Sequence, residues 1–224
     1  MIKAILIDVD NTLLDFNKCA AFSMRSVAKE SGIILPQNID KIFHEVNDSL
    51  WREIEKGKLT REKLHEIRWE IIFNKLNVNY NPQHFEKDFV YSLRFVAIPV
   101  DGALELIDYL KAKYPLYIAS NASAEQQRIR LKNSNLTPKF KDIFLSEEIG
   151  KAKPTKEFFD FCLSKINANR NEIFMIGDSL SADIIGARNY GLKTIWYNHN
   201  NIPIPKEKSW DYNVSKLLEI KNIL

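Results

Sequence analysis

Five short apolar runs punctuate the 224-residue chain, at 4–7, 116–119, 143–145, 173–176 and 194–197. Each ends in small or polar residues and gives way to a helix-like pattern. Unbroken apolar runs of this length are what strands buried on both faces show. Their alternation with helices predicts an α/β fold around a mainly parallel sheet. One helix is expected over 103–113, with Leu104, Ile107 and Leu110 on one face. Another is expected over 156–166, where Phe158, Phe159, Cys162, Leu163 and Ile166 follow a Thr155 N-cap. A third covers 181–190 and stops at Gly191, a residue suited to the left-handed position after a helix.

Between 17 and 98 the alternation lapses and only helical periodicity remains. It runs through Phe22, Val27 and Ala28, then Ile42, Phe43, Val46, Leu50 and Trp51, then Leu64, Ile67, Ile71 and Ile72, then Phe85, Phe89, Val90 and Leu93. Breaks fall at 32–38, 56–59 and 77–82. The segment is too long for a loop. It reads as an all-helical domain (17–98) inserted into a core formed by 1–16 plus 99–224.

Composition narrows the partners. Hydrophobic residues at 45% and aromatics at 11% suffice for a packed core. The net charge of +3 comes from 32 basic and 29 acidic residues that are interspersed, so no basic stripe marks a nucleic-acid polymer as partner. Cys19 and Cys162 lie far apart and outside any CxxC pattern, as buried reduced thiols do. No apolar run approaches the ~20 residues of a membrane span, and a strand replaces a signal peptide at the N-terminus. A cytoplasmic protein without a membrane partner is expected, as a monomer or a homodimer. His44, His65, His84 and His199 sit among surface-like neighbours and are not expected to be catalytic.

The chemistry is concentrated where strands end. Asp8 and Asp10 follow the first run at i, i+2, which puts both carboxylates on one side of an extended chain. Like charges that close call for a cation, and a divalent metal with a phosphorylated substrate is the natural answer. Ser120 and Asn121 follow the second run, where a hydroxyl and an amide can bind phosphate oxygens. Lys153, before Pro154 and a helix start, opposes the helix dipole and suits a phosphoryl group or a nucleophilic carboxylate; Lys151 is its competitor. Asp178, after Gly177, suits a hard metal. Asp183 is either a helix-start acid or a residue orienting Lys153 or metal-bound water.

These motifs, Asp8-Val9-Asp10-Asn11-Thr12, Ser120, Lys153-Pro154 and Gly177-Asp178 with Asp183, resemble the haloacid dehalogenase superfamily over essentially the full chain. Asn11 departs from the commoner glycine. The resemblance implies a Rossmann-like core with the helical insertion as a C1-type cap, which closes over the core and sets substrate choice. It implies Asp8 as nucleophile and Asp10 as general acid and base. Mg²⁺ would be held by Asp8, Asp178 and the backbone carbonyl of Asp10. Ser120, Asn121 and Lys153 would bind the phosphoryl group, and Thr12 would steady the turn. An acid at Asp10 favours phosphate esters over carbon–halogen bonds.

Residues 51–60, 146–154 and 191–198 are similar to the pyrimidine 5′-nucleotidase branch, implying pyrimidine nucleoside 5′-monophosphates as substrates. Trp51, Trp69 or Phe16 could stack on a base, and Lys58 could reach the substrate from a turn. The rival substrate is another small ester such as phosphoglycolate or a sugar phosphate. A rival of a different class is a non-catalytic relative that binds a ligand or partner.

Overall fold

The computed structural model describes residues 1–204 and 210–224. In chain order it contains β1 (Ala4–Ile7), α1 (Phe16–Glu30), α2 (Ile39–Glu55), α3 (Arg61–Leu76), α4 (Pro82–Leu93), α5 (Ala103–Lys111), β2 (Leu116–Ser120), α6 (Ala124–Asn133), β3 (Asp142–Leu145), α7 (Ser146–Ile149), α8 (Lys156–Lys165), β4 (Ile173–Gly177), α9 (Gly186–Tyr190), β5 (Lys193–Tyr197) and β6 (Tyr212–Val214). The chain divides into two compact units, one of residues 1–15 and 97–224 and the other of residues 16–96.

The first unit is built on one six-stranded sheet in the order β3-β2-β1-β4-β5-β6, with every pairing parallel. Strand alternation decides the layers. From β1, Ile5 and Ile7 point into one apolar layer, with Leu106, Ile107 and Leu110 of α5 and with Leu217 and Ile220. Ala4 and Leu6 point into the opposite layer, with Phe158, Phe159 and Cys162 of α8 and Ala187 and Tyr190 of α9. The strand order reverses direction at β1, between β2 and β4. Open α/β sheets bind ligands at the carboxyl ends of strands beside such a reversal. Asp8 follows β1 and Asp178 follows β4 at that place.

Three local details differ from the sequence reading. A sixth strand, β6, extends the sheet through a parallel pairing with β5. The expected helix over 181–190 begins as a π-helical turn over Leu180–Ile185 and becomes α-helical at Gly186. Ser120 and Gly177 are the last residues of their strands rather than the first of their loops.

The second unit is four helices, α1 to α4. Its interior is aromatic: Trp69 lies 4.3 Å from Phe85 and 5.4 Å from Phe89 between ring centroids, and Phe43 packs on both Trp69 and Phe89. Thr60 and Asn81 cap α3 and α4 with side-chain oxygens that accept backbone N–H bonds. A buried Arg68 donates to both oxygens of Glu86 and to Asn47 Oδ1, which satisfies a charge that would otherwise be costly there. Trp69 is therefore part of the packed interior. Trp51 is half-buried on α2, and Lys58 is exposed in the turn before α3. Phe16 packs toward Phe43 at 6.4 Å.

Candidate active site

The loop after β1 is shaped by its backbone. Asn11 has φ near +60°, a left-handed conformation that asparagine tolerates better than other non-glycine residues. This accounts for asparagine where glycine is commoner. Thr12, Leu13 and Leu14 donate backbone bonds to Val9 O, so the chain curls directly behind Asp8 and Asp10.

Lys153 is the centre of the site. It is 3% exposed, and its ammonium donates to Asp8 Oδ1 at 2.7 Å, Asp183 Oδ1 at 2.6 Å and Ala119 O at 2.6 Å. Those three bonds use all three ammonium protons. Lys151 is exposed, and of the two lysines it is Lys153 that meets Asp8. Asp183 has a donor on each oxygen, Lys153 Nζ on one and Ser179 N at 3.1 Å on the other. It thereby ties the start of the helical segment to the lysine.

Gly177 is required by this arrangement. A Cβ there would lie 2.2 Å from Asp183 Oδ2, too close for any side chain. Gly186 plays a similar part further on, since its Cβ would fall 2.5 Å from Pro154 Cβ.

Asp8, Asp178 and Asp183 each offer an oxygen within 4.8 Å of the others. At an effective dielectric near 20, each such pair of charges repels by roughly 3–4 kcal/mol. Burial, followed by the neighbouring carboxylates, raises the pKa of Asp8 above the usual carboxylate range in spite of the attraction of Lys153. Burial raises Asp183 as well, opposed by Lys153. Asp178 is raised by burial to about 6, with His199 lowering it and Asp8 raising it. Burial alone would lower Lys153, but Asp183 and Asp8 more than offset it and hold the ammonium charged. Three carboxylates with one lysine form an oxygen-rich cluster with more acids than bases. That donor set suits a hard divalent cation.

Three further expected site residues, Asn121, Thr12 and Ser120, line the same strand ends. Asn121, expected to meet phosphate through its amide, donates to Lys153 O and accepts from Lys153 N, both at 2.9 Å. A planar amide matches a peptide unit, and here it fixes the backbone that carries the lysine. Thr12 is buried with its hydroxyl 3.4 Å from Asp178 Oδ1. Ser120 is buried at the end of β2, accepting from Ala122 N at 3.2 Å and Gln127 Nε2 at 3.1 Å. A hydroxyl that accepts both bonds keeps its own proton to donate.

The side chain of Asp10 lies outside the carboxylate cluster. Arg130 Nη1 donates to its Oδ1 at 2.5 Å, and Gln127 Nε2 to its Oδ2 at 3.0 Å. Neither α6 residue was visible as a site residue in the sequence. His199, set aside there, stands 3.9 Å from Asp178 Oδ2 and stacks on Tyr197. Trp196 Nε1 donates to Asp178 O at 3.0 Å, fixing the loop after β4.

Residues 5–197 match the family model of haloacid dehalogenase-like hydrolases. YfnB of Bacillus subtilis (strain 168), named as a HAD-hydrolase, is 34% identical over 99% of this chain and 95% of its own. A crystal structure of YfnB bound to magnesium superposes with a TM-score of 0.93, covering 99% of this chain and 98% of that one. The pyrimidine 5′-nucleotidase PynA of Streptococcus pneumoniae (strain ATCC BAA-255 / R6) is 30% identical over 99% of this chain and 97% of its own. The pyrimidine 5′-nucleotidase YjjG of Escherichia coli (strain K12) is 28% identical over 98% and 96%. With this sheet order, a buried lysine ahead of α8 bound to Asp8 and Asp183, and sequence agreement along the whole chain, the protein belongs to the haloacid dehalogenase-like hydrolases.

Proposed function

We propose that the protein hydrolyses pyrimidine nucleoside 5′-monophosphates in the cytoplasm, through an aspartyl-phosphate on Asp8. The enzyme class is that of a phosphoric monoester hydrolase. The observation that carries the reading is the Lys153–Asp8 contact at 2.7 Å beside Asp178 and Asp183. The pyrimidine assignment is supported by full-length similarity to PynA and YjjG.

Asp8 attacks phosphorus while Lys153 offsets charge on the carboxylate and on the phosphoryl oxygens. Asp10 gives its proton to the departing nucleoside oxygen, then takes one from the water that cleaves the aspartyl-phosphate. Ser120 donates to the phosphoryl group, and Asn121 and Asp183 hold Lys153 in place. Asp8, Asp178 and the backbone carbonyl of Asp10 would hold Mg²⁺, which when bound supplies Lewis-acid stabilisation of charge on the phosphoryl oxygens. Asp183, with a donor on both oxygens, serves the lysine.

The test is phosphate release from UMP, dUMP and TMP set against phosphoglycolate and sugar phosphates, in Mg²⁺ and in excess chelator. The expected result is Mg²⁺-dependent turnover with the highest kcat/KM on pyrimidine nucleotides. A preference for sugar phosphates would remove the pyrimidine assignment, and full activity in chelator would remove the metal.

A further inference from the structure

Helix α6 buries Gln127, Arg130 and Leu131. Leu131 joins the apolar layer, as a core position should. Gln127 and Arg130 are both fully buried, which is unusual for an amide and a guanidinium. Burying a guanidinium destabilises a fold unless it is paired, so the pair it makes is informative. Arg130 Nη1 donates to Asp10 Oδ1 at 2.5 Å and to Gln127 Oε1 at 3.1 Å. Gln127 Nε2 donates to Asp10 Oδ2 at 3.0 Å and to Ser120 Oγ at 3.1 Å. Both oxygens of Asp10 are thus held from one helix. The same glutamine reaches the hydroxyl at the end of β2.

We infer that Gln127 and Arg130 are positioning residues that aim the Asp10 carboxyl group at the leaving-group oxygen and set it in register with Ser120. This rests on the acid and base role proposed for Asp10. In the first step the P–O bond to the nucleoside breaks as the bond from Asp8 to phosphorus forms. The electron pair of the breaking bond goes to the leaving oxygen, which takes the proton of Asp10. A carboxyl group free to rotate would present that proton in many directions. Donors on each oxygen fix the plane of the group and leave only the remaining lone pairs to carry the proton, and orientation of this kind governs the efficiency of proton transfer. The spacing of i, i+3 on α6 puts both donors on the buried face.

The test uses two substrates that differ in their need for a proton. Nucleoside monophosphates expel an alkoxide and need the acid; p-nitrophenyl phosphate expels a stable anion and does not. For each variant the readout is the ratio of kcat/KM on UMP to kcat/KM on p-nitrophenyl phosphate. A smaller fraction of folded enzyme lowers both terms equally and leaves the ratio unchanged. Arg130→Met should lower the ratio about 10- to 100-fold, a part of the roughly 100- to 10,000-fold that a general acid contributes. Gln127→Leu should lower it in the same direction, and Arg130→Lys should recover most of it. If Arg130→Met does not fold, Gln127→Leu decides. Parallel losses on both substrates, or an unchanged ratio, overturn the positioning role. Asp10→Asn separates the two levels of the argument. If it lowers the ratio and the α6 variants do not, only the positioning role fails. If it too leaves the ratio unchanged, the acid assignment fails and takes the positioning role with it.

Discussion

At the scale of single residues, the site is an unbalanced charge count around Lys153. The lysine satisfies Asp8 and Asp183, while Asp178 faces them with a distant His199 and a weak contact from Thr12. Burial raises Asp178 from 3.8 to about 6, so its ionised form is worse off in the folded chain than in the unfolded one. The favourable contribution of the neutral acid is whole below the unfolded value of 3.8 and is lost as pH rises through about 6. In metal-free buffer near pH 7, Asp178→Asn should therefore be more stable than the parent by about 1–3 kcal/mol. The gain should vanish near pH 4. Urea unfolding in chelator at the two pH values checks this, and equal stability near pH 7 would contradict it.

Asp8, Lys153 and Asp178 were legible because strand-ending acids and a lysine before a helix are hard to explain by packing. The pairing of Asn121 with Lys153, 32 residues away, was not legible, because no local pattern shows it. Gln127 and Arg130 were missed for a related reason. Helix α6 offers only Ile129 and Leu131 as large apolar positions, so no stripe announces which face is buried.

At the scale of elements, the strand ends and the loops after them do most of the positioning. The loop after β4 is held by Trp196 Nε1 on Asp178 O, by the Ser179 cap on Ala182 N, and by Asp183 folding back over Gly177. Gly177→Ala puts a methyl group into the Asp183 carboxylate, and the carboxylate must leave Lys153 to admit it. Overpacking of this kind costs about 1–3 kcal/mol. The variant should show a lower melting temperature and a kcat reduced more than tenfold, because Lys153 loses one of its two anchoring acids. Unchanged kcat would argue against Asp183 as the anchor. The five longer strands were readable from their apolar runs. β6 was not, since Tyr212 and Asn213 are exposed and only Val214 is buried. The π-helical turn at Leu180 was also invisible, because a single turn of that kind leaves no periodicity of its own in the sequence.

At the scale of the whole molecule, a parallel sheet with a direction reversal at β1 collects residues from four separate segments at one edge. The sequence made that gathering legible through repeated apolar runs, each followed by chemistry. It also marked the interruption of the alternation, and the structure separates residues 16–96 as a compact helical unit. The substrate reading remains tied to similarity along the chain, for Trp51 and Lys58 as for the rest of that unit. Among the described residues, no helix is long and apolar enough to cross a membrane. In the proposed reaction Asp8 takes the phosphoryl group, and one measurement addresses that step directly. Steady-state phosphate release from UMP in Mg²⁺ should fall by at least about 1,000-fold in Asp8→Asn, on the scale seen when a covalent nucleophile is removed. Activity within tenfold of the parent in a folded Asp8→Asn protein would contradict the account.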